Sequence, residues 1–295
     1  MICLRIAVRR GGGLGDVLLT TPVVRELKNK YPDSELTFVT DPNGYLVLKG
    51  LPYIDRFHIM QGLGNIHSKP LGGFDRQYSL VYENQTNCHI IDAYANVAQV
   101  TLKNKKPDIV LLKSHHDSVS RWMKNNGIPD NAFMVAVNMG PTWPCRSWHP
   151  LKFKMVAEHF KRKYNAVILE LSGKKGYGAG FGIDLTGKTS MRQTAALLKR
   201  CKLLICVDSF MLHLAGATDT PVVGIFGCTD PKYRLPFNNV SVGVQTSGAC
   251  RSCYHNGKFK TYCSCFRDRV YCMEEVGVRD VVSAAEGLIE RLHLR

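Results

Sequence analysis

The sequence predicts an α/β protein built from two doubly wound domains in tandem. Three observations carry this. Short, nearly continuous apolar runs alternate with stretches of helical periodicity, the pattern of parallel sheets covered on both faces. The pattern stops in a polar, turn-rich stretch, "NNGIPDN" at 125–131, and then restarts. The chain has 295 residues, 45% of them hydrophobic, which is enough for two cores of ordinary size.

The elements follow in order. "LRIAV" is a first strand, and it runs into the glycines of "VRRGGGLGDVLLTTP". Val17 to Lys30 places Val17, Leu18, Thr21, Val24 and Leu27 at helical spacing and stops before Pro32. "ELTFVT", "DRFHIM" and "YSLVYE" are strands, and "GLGNIHSKPLGGFD" is a glycine-punctuated loop between the last two. "HIIDAYANVAQV" carries one apolar helical face. After the turn, "FMVAVNMG" is a buried strand and Leu151 to Tyr164 a helix with basic residues near its end. "NAVILEL", "KLLICVD" and "PVVGIFG" are further strands. Ser190 to Arg200 and Ser209 to Ala217 are helices, and Arg279 to Leu292 a closing one.

Net charge is +15, from 39 basic and 24 acidic residues. Residues 1–130 hold 16 basic and 12 acidic residues, so most of the excess lies in the C-terminal half. This favours anionic partners such as nucleotides, phosphorylated glycans or an anionic membrane surface. No apolar run approaches the roughly 20 residues that span a bilayer. The first residues lack a signal-peptide layout, so a cytoplasmic location is expected. Of eleven cysteines, six are scattered, several of them in apolar runs. The other five crowd into Cys250 to Cys272.

Four segments carry candidate chemistry. In the glycine loop no Lys-Ser/Thr follows, so it is not a P-loop. Asp16 stands where a dinucleotide fingerprint has its third glycine, and a carboxylate there repels phosphate. Asp16 reads either as a helix N-cap or as a chemical group. "MGPTWPCRSWHP" brings Thr142 and Arg146 to a strand's carboxyl end, which suits a diphosphate; packing of a Trp-Pro loop is the plainer reading. "KLLICVDSFMLH" runs a strand into Asp208, Ser209 and a helix with His213, a residue that by itself reads more readily as core. Last, "CRSCYHNGKFKTYCSCFRDRVYC" has Cys-x2-Cys followed by Cys-x-Cys. Thiolates at this spacing suit a structural Zn or Fe ion. The candidate ligands are Cys250, Cys253 and Cys263 with Cys265 or Cys272, and His255 is a further one; reduced thiols in a basic loop are the alternative.

The set "GGLGDVLLTTPVVRELK", "WPCRSWHP", "DLTGKTS", "CVDSFMLHLA" and "TPVVGIFGCTDP" resembles the ADP-heptose–lipopolysaccharide heptosyltransferases, glycosyltransferase family nine. The resemblance covers nearly the whole chain in the family's order. It implies a GT-B fold, with two Rossmann-like doubly wound domains facing a cleft. The N-terminal acceptor-side domain would span 1–128. The donor-nucleotide domain would span 129–278, with the Cys-rich segment at 250–272, and the closing helix 279–295. It further implies inverting transfer of heptose from ADP-heptose to a lipopolysaccharide core sugar, with no cofactor required. Asp16 matches the family's proposed general base. Thr142 and Arg146 match groups near the donor diphosphate, Lys188, Thr189 and Ser190 a loop near the adenosine, and Asp208, Ser209 and His213 a donor-binding motif. Phe210 stands where the family has glycine, so a side chain occupies a place of close backbone approach.

Acceptor contacts are expected from Gly13 and from "ENQTNCH", with Glu83, Asn84, Gln85 and His89 as candidates. A phosphorylated glycan acceptor and peripheral contact with the inner membrane fit the basic balance. Transfer to protein serine is the alternative within the class. A metal-bearing nucleic-acid-binding module is the alternative outside it; it leaves Asp16, Asp208 and His213 without purpose, so no nucleic-acid partner is expected.

Overall fold

Ile6, Ala7 and Val8 are fully buried in β1 (Arg5–Arg9), which is why this strand lies inside a parallel sheet instead of at its edge. The computed structural model describes residues 4–62, 66–67, 71–140, 143–238, 240–248, 250–255 and 270–294. Among these, β1 pairs with β2 (Glu35–Thr40) on one side and β4 (Arg76–Ser79) on the other, and β3 (Arg56–Ile59) extends β2. All pairings are parallel, in the order β3-β2-β1-β4.

The helix expected over Val17 to Lys30 is two helices, α1 (Leu14–Leu18) and α2 (Thr21–Lys30). Pro22 has no N–H to continue the ladder. The hydroxyls of Thr20 and Thr21 donate instead to the carbonyls of Val17 and Leu18, at 2.7 and 2.8 Å. Sequence periodicity also passes over α3 (Pro42–Leu48), whose start is fixed by Asp41 accepting from the N–H groups of Asn43 and Gly44. The apolar face of "HIIDAYANVAQV" forms α4 (Ile90–Ala98).

Residues 1–110 make one compact unit and 111–295 a second. This division falls ahead of the turn at 125–131. The reason is α5 (Lys113–Asn125), which belongs with the second unit: Gln193 Nε2 donates to Ser118 Oγ, and Trp122 shares a cavity with Leu185 and Leu197.

The second unit is a parallel sheet of six strands, ordered β10-β9-β8-β5-β6-β7. These are β5 (Met134–Asn138), β6 (Val167–Glu170), β7 (Ile183–Asp184), β8 (Leu203–Val207), β9 (Val222–Phe226) and β10 (Ser241–Gln245). Every residue of β5, β8 and β9 is buried. Each fully buried Leu, Ile or Val contributes about 1.5–3 kcal/mol, so these three strands anchor the unit. Helix α6 (Pro150–Tyr164) ends with Lys161, Arg162 and Lys163 against its negative pole and Asn165 in the left-handed conformation. Helix α7 (Met191–Leu198) starts from a reciprocal cap between Ser190 and Gln193. Helix α8 (Phe210–Thr218) is apolar nearly all round and correspondingly buried. A short α9 (Tyr271–Glu274) precedes α10 (Val278–Arg291). Val281, Ala285, Leu288 and Ile289 of α10 are part of this unit's core, so the closing helix is not a separate piece. Among the described residues no helix is long and apolar enough to cross a membrane.

Candidate active site

Each sheet has a point where the chain reverses direction across the strand order. In the first unit the chain goes outward from β1 to β3 and returns to the other side of β1 with β4. In the second it goes from β5 to β7 and returns with β8. Ligand crevices in open parallel sheets form outside the carboxyl ends at these points, where adjacent loops diverge. Most of the charged candidates named from sequence lie there.

At the β1/β4 point, Arg10 directly follows the first strand and is only 4% exposed. Its Nη2 is 3.1 Å from Asp16 Oδ2 and 3.0 Å from Glu83 Oε1. Its Nη1 donates to the Leu80 carbonyl at 3.1 Å and to Glu83 Oε2 at 3.3 Å. The guanidinium also sits over the rings of Tyr82 and Tyr94, 5.3 and 5.6 Å from their centroids. Burial works against its charge, but Tyr94, Asp16 and Glu83 outweigh burial and raise its pKa. Burial pushes the Glu83 carboxyl up, and the Arg10 hydrogen bond and charge bring it below its ordinary value. His67 Nδ1 lies 2.8 Å from Ser79 Oγ, and burial together with Arg10 lowers the imidazole pKa.

Asp16 is not the N-cap of α1; that position is Gly13, and Asp16 lies in the first turn. Its side chain is 24% exposed. The preceding loop is held by the Gly12 N–H, which donates to Asp41 Oδ2 at 2.7 Å. Of the acceptor candidates, Glu83 belongs to this group and Asn84 is exposed beside it. Gln85 accepts from Asn96 Nδ2 at 3.2 Å. His89 serves the fold: it is buried, and its Nδ1 accepts the Ile91 N–H to cap α4.

At the β5/β8 point, Asp208 follows β8 and is 2% exposed. Thr229, on the loop after β9, donates to its Oδ2 at 2.7 Å. Arg146, in a 3-10 turn (Pro144–Arg146) after β5, brings Nε to 3.4 Å from the same oxygen. Arg146 also stacks on Trp143, 4.1 Å from the ring centroid. Burial opposes ionisation of Asp208, but the charges of Arg146, Arg234 and His213 and the Thr229 hydroxyl hold its pKa below the usual carboxylate value. Arg234 and His213 are themselves buried. Asn138 ties the crevice together: its amide donates to the Leu171 carbonyl at 2.7 Å, and its Oδ1 accepts from Ser209 Oγ at 3.0 Å. Gln245 of β10 donates to the carbonyls of Gly227 and Thr229, both at 2.8 Å, and fixes the loop after β9. Phe210 is half-buried at the first position of α8. Thr142 lies outside the described residues.

Lys188, Thr189 and Ser190 form a third group, at the start of α7. Lys188 Nζ donates to the Asp184 carbonyl at 2.7 Å, the hydroxyls of Thr189 and Thr194 are 2.8 Å apart, and Ser190 Oγ caps the helix. Lys188 and Thr189 line a cavity of about 300 Å³ together with Trp122, Leu185 and Gln193.

The Cys-rich segment is described only in part. Cys250 is half-buried, Cys253 and Cys272 are buried, and Cys263 and Cys265 lie outside the described residues. Among the described residues, no three His, Cys, Asp or Glu side chains come together as metal ligands, so Cys250, Cys253 and Cys272 do not by themselves fit an ion. Buried Cys145 and Cys228 have their sulfurs 3.2 Å apart next to this segment, and Cys272 Sγ lies 3.9 Å from the Cys145 carbonyl oxygen.

Arg10, Thr229 and Arg234 are missing from the sequence-based set. Arg10 offered a faint signal, as a second arginine directly after an apolar strand. Arg234 comes into range of Asp208 only through the turn at Pro231–Tyr233.

The first unit thus carries a carboxylate beside a glycine loop at its reversal point, and the second carries cations around a buried acid at its own. The profile of glycosyltransferase family 9 (heptosyltransferase) matches residues 62–262, more than half of the chain. The chain belongs to this family and is a glycosyltransferase. It is similar to lipopolysaccharide heptosyltransferase 3 of Escherichia coli, at 22% identity over 76% of this chain and 84% of that one. Among solved structures it resembles a family 9 glycosyl transferase from Veillonella parvula, with a TM-score of 0.76, 21% identity and 98% of both chains covered. It also resembles TibC of enterotoxigenic E. coli, a dodecameric iron-containing heptosyltransferase solved with ADP-D-β-D-heptose. There the TM-score is 0.71 and the identity 16%, over 98% of this chain and 77% of that one. The fold class is that of the GT-B heptosyltransferases.

Proposed function

We propose that this enzyme transfers heptose from ADP-heptose, with inversion, to a sugar of the lipopolysaccharide core. The observation that carries the reading is the pair of charged crevices at the two reversal points: an acid beside a glycine loop in one unit, and buried cations in the other. Arg146 and Arg234 stabilise the diphosphate as it leaves with growing negative charge. Asp208 orients Arg146 and keeps the buried cations neutralised in the free enzyme. The cavity beside Lys188 and Thr189, with the Trp122 ring in its wall, suits the adenosine end of the donor.

Asp16 takes the proton of the attacking acceptor hydroxyl. As that O–H bond breaks, the oxygen bonds the anomeric carbon and the carbon–oxygen bond to the diphosphate breaks on the opposite face. Attack and departure on opposite faces invert the centre. The acceptor lies near Asp16, Glu83 and Asn84. The charge of +15 favours a phosphorylated acceptor at the cytoplasmic surface of an anionic membrane.

Calorimetric titration with ADP-, UDP- and GDP-sugars tests the donor. Binding of ADP-heptose alone supports the reading, and binding of none of the three overturns it.

An iron or zinc ion on Cys250, Cys253 and Cys263 with Cys265 or Cys272 is a separate proposal. It is supported by the Cys-x2-Cys spacing and by the iron-containing relative. It has no part in the transfer. Elemental analysis of the purified protein tests it: metal lost in Cys253→Ser supports it, and metal-free wild-type protein contradicts it.

A further inference from the structure

We propose that Arg10 is the positioning residue for the Asp16 carboxylate and that Glu83 is the counter-charge that keeps Asp16 basic. This rests on Asp16 being the base.

The guanidinium has little freedom. Glu83 holds it on both Nη atoms, the Leu80 carbonyl takes a further hydrogen from Nη1, and two tyrosine rings pack on it. The Nη2 edge is thereby aimed at Asp16 Oδ2. An arginine fork fixed at three points sets the direction of its remaining hydrogen bond, which a lysine ammonium does not do. Asp16 takes the proton of the acceptor hydroxyl while its Oδ2 stays paired with Arg10.

Charge balance supplies the second half. One cation paired with one carboxylate makes a poor base, because the cation favours the ionised form. Here two carboxylates share the cation, and Glu83 offsets the pull of Arg10 on Asp16. The other titratable groups facing the cluster are Tyr82 on the loop after β4, Tyr94 on α4 and His67, while Arg9, whose guanidinium donates to Gln77, acts on His67. Tyr94 is fully buried with its pKa raised, and His67 is held toward the neutral form, so neither brings a competing charge at neutral pH.

The test compares Arg10→Lys, Arg10→Met, Glu83→Gln and Asp16→Asn by kcat, KM, the pH profile of kcat/KM, and melting. Arg10→Lys keeps the charge and loses the fork; kcat is expected to fall about tenfold with KM and the acidic limb unmoved. Arg10→Met leaves two carboxylates facing each other, and the acidic limb moves up by about 1–3 pH units. Glu83→Gln moves it the other way, and the double variant Arg10→Met/Glu83→Gln brings it back toward wild type. An acidic limb unmoved in both Arg10→Met and Glu83→Gln overturns the proposal. If melting shows that Arg10→Met does not fold, full kcat in Arg10→Lys with an unmoved limb in Glu83→Gln overturns it equally. Wild-type turnover in Asp16→Asn removes the base assignment and this proposal with it. An inactive Asp16→Asn beside silent Arg10 and Glu83 variants removes this proposal alone.

Discussion

The Asp16 carboxylate occupies the space that a side chain at Gly13 would need: a Cβ added there would stand 2.7 Å from Oδ2. Gly13 has φ −58°, which any residue adopts, so its requirement is room and not backbone freedom. Gly13→Ala is therefore expected to fold normally and to push Asp16 off its Arg10 contact. Misplacing a reacting group by about 1 Å lowers turnover by about 100-fold. Steady-state kinetics with unchanged ADP affinity checks this.

The Arg146–Asp208 pair predicts an effect on stability. Asp208→Asn leaves Arg146, Arg234 and His213 around a neutral amide in a buried crevice. Removing one partner of a buried ion pair costs about 3–5 kcal/mol, because the remaining charge is left uncompensated. Urea unfolding is expected to show a loss of this order, reduced when saturating ADP supplies a replacement anion. A loss below about 1 kcal/mol, the range of exposed pairs, would mean that the cations relax into solvent.

Arg146→Lys separates charge from shape. The ammonium keeps the positive charge but loses the planar stack on Trp143 and the forked donor set. ADP affinity is expected to fall by about tenfold, comparable to losing one charge-assisted hydrogen bond. Titration calorimetry reads this directly.

Acid lability follows from the depressed carboxylates. Asp208 and Glu83 both titrate below their ordinary values in the folded chain. Their contribution to stability is present above the unfolded carboxylate pKa of about 4 and is lost as pH falls through the folded values. Unfolding free energy is expected to drop steeply below about pH 4, and less steeply in Asp208→Asn.

Much of the fold was legible because parallel strands buried on both faces leave an apolar trace that survives without context; "LRIAV", "KLLICVD" and "PVVGIFG" are examples. Helices α3 and α5 were not legible. The first depends on an Asp41 cap, and the second is a polar segment, "KSHHDSVSRWMKN", with only Val119 and Met123 buried. The same segment obscured the unit boundary. In the site, Asp16, Arg146 and Asp208 stood out as charges beside turns at strand ends. Arg10 and Arg234 did not, because their importance comes from burial next to groups distant in sequence. His89 illustrates the opposite case: a polar residue after a strand whose use is to cap a helix.

Asp16 is proposed as the base of a heptosyl transfer from ADP-heptose. The most direct test is acceptor-dependent release of ADP by wild type and Asp16→Asn, using ADP-heptose and a heptose-deficient lipopolysaccharide core. The expected result is ADP release by wild type only when acceptor is present, with a loss of about 100- to 10,000-fold in Asp16→Asn at unchanged ADP affinity. Equal turnover by the two proteins would contradict the account.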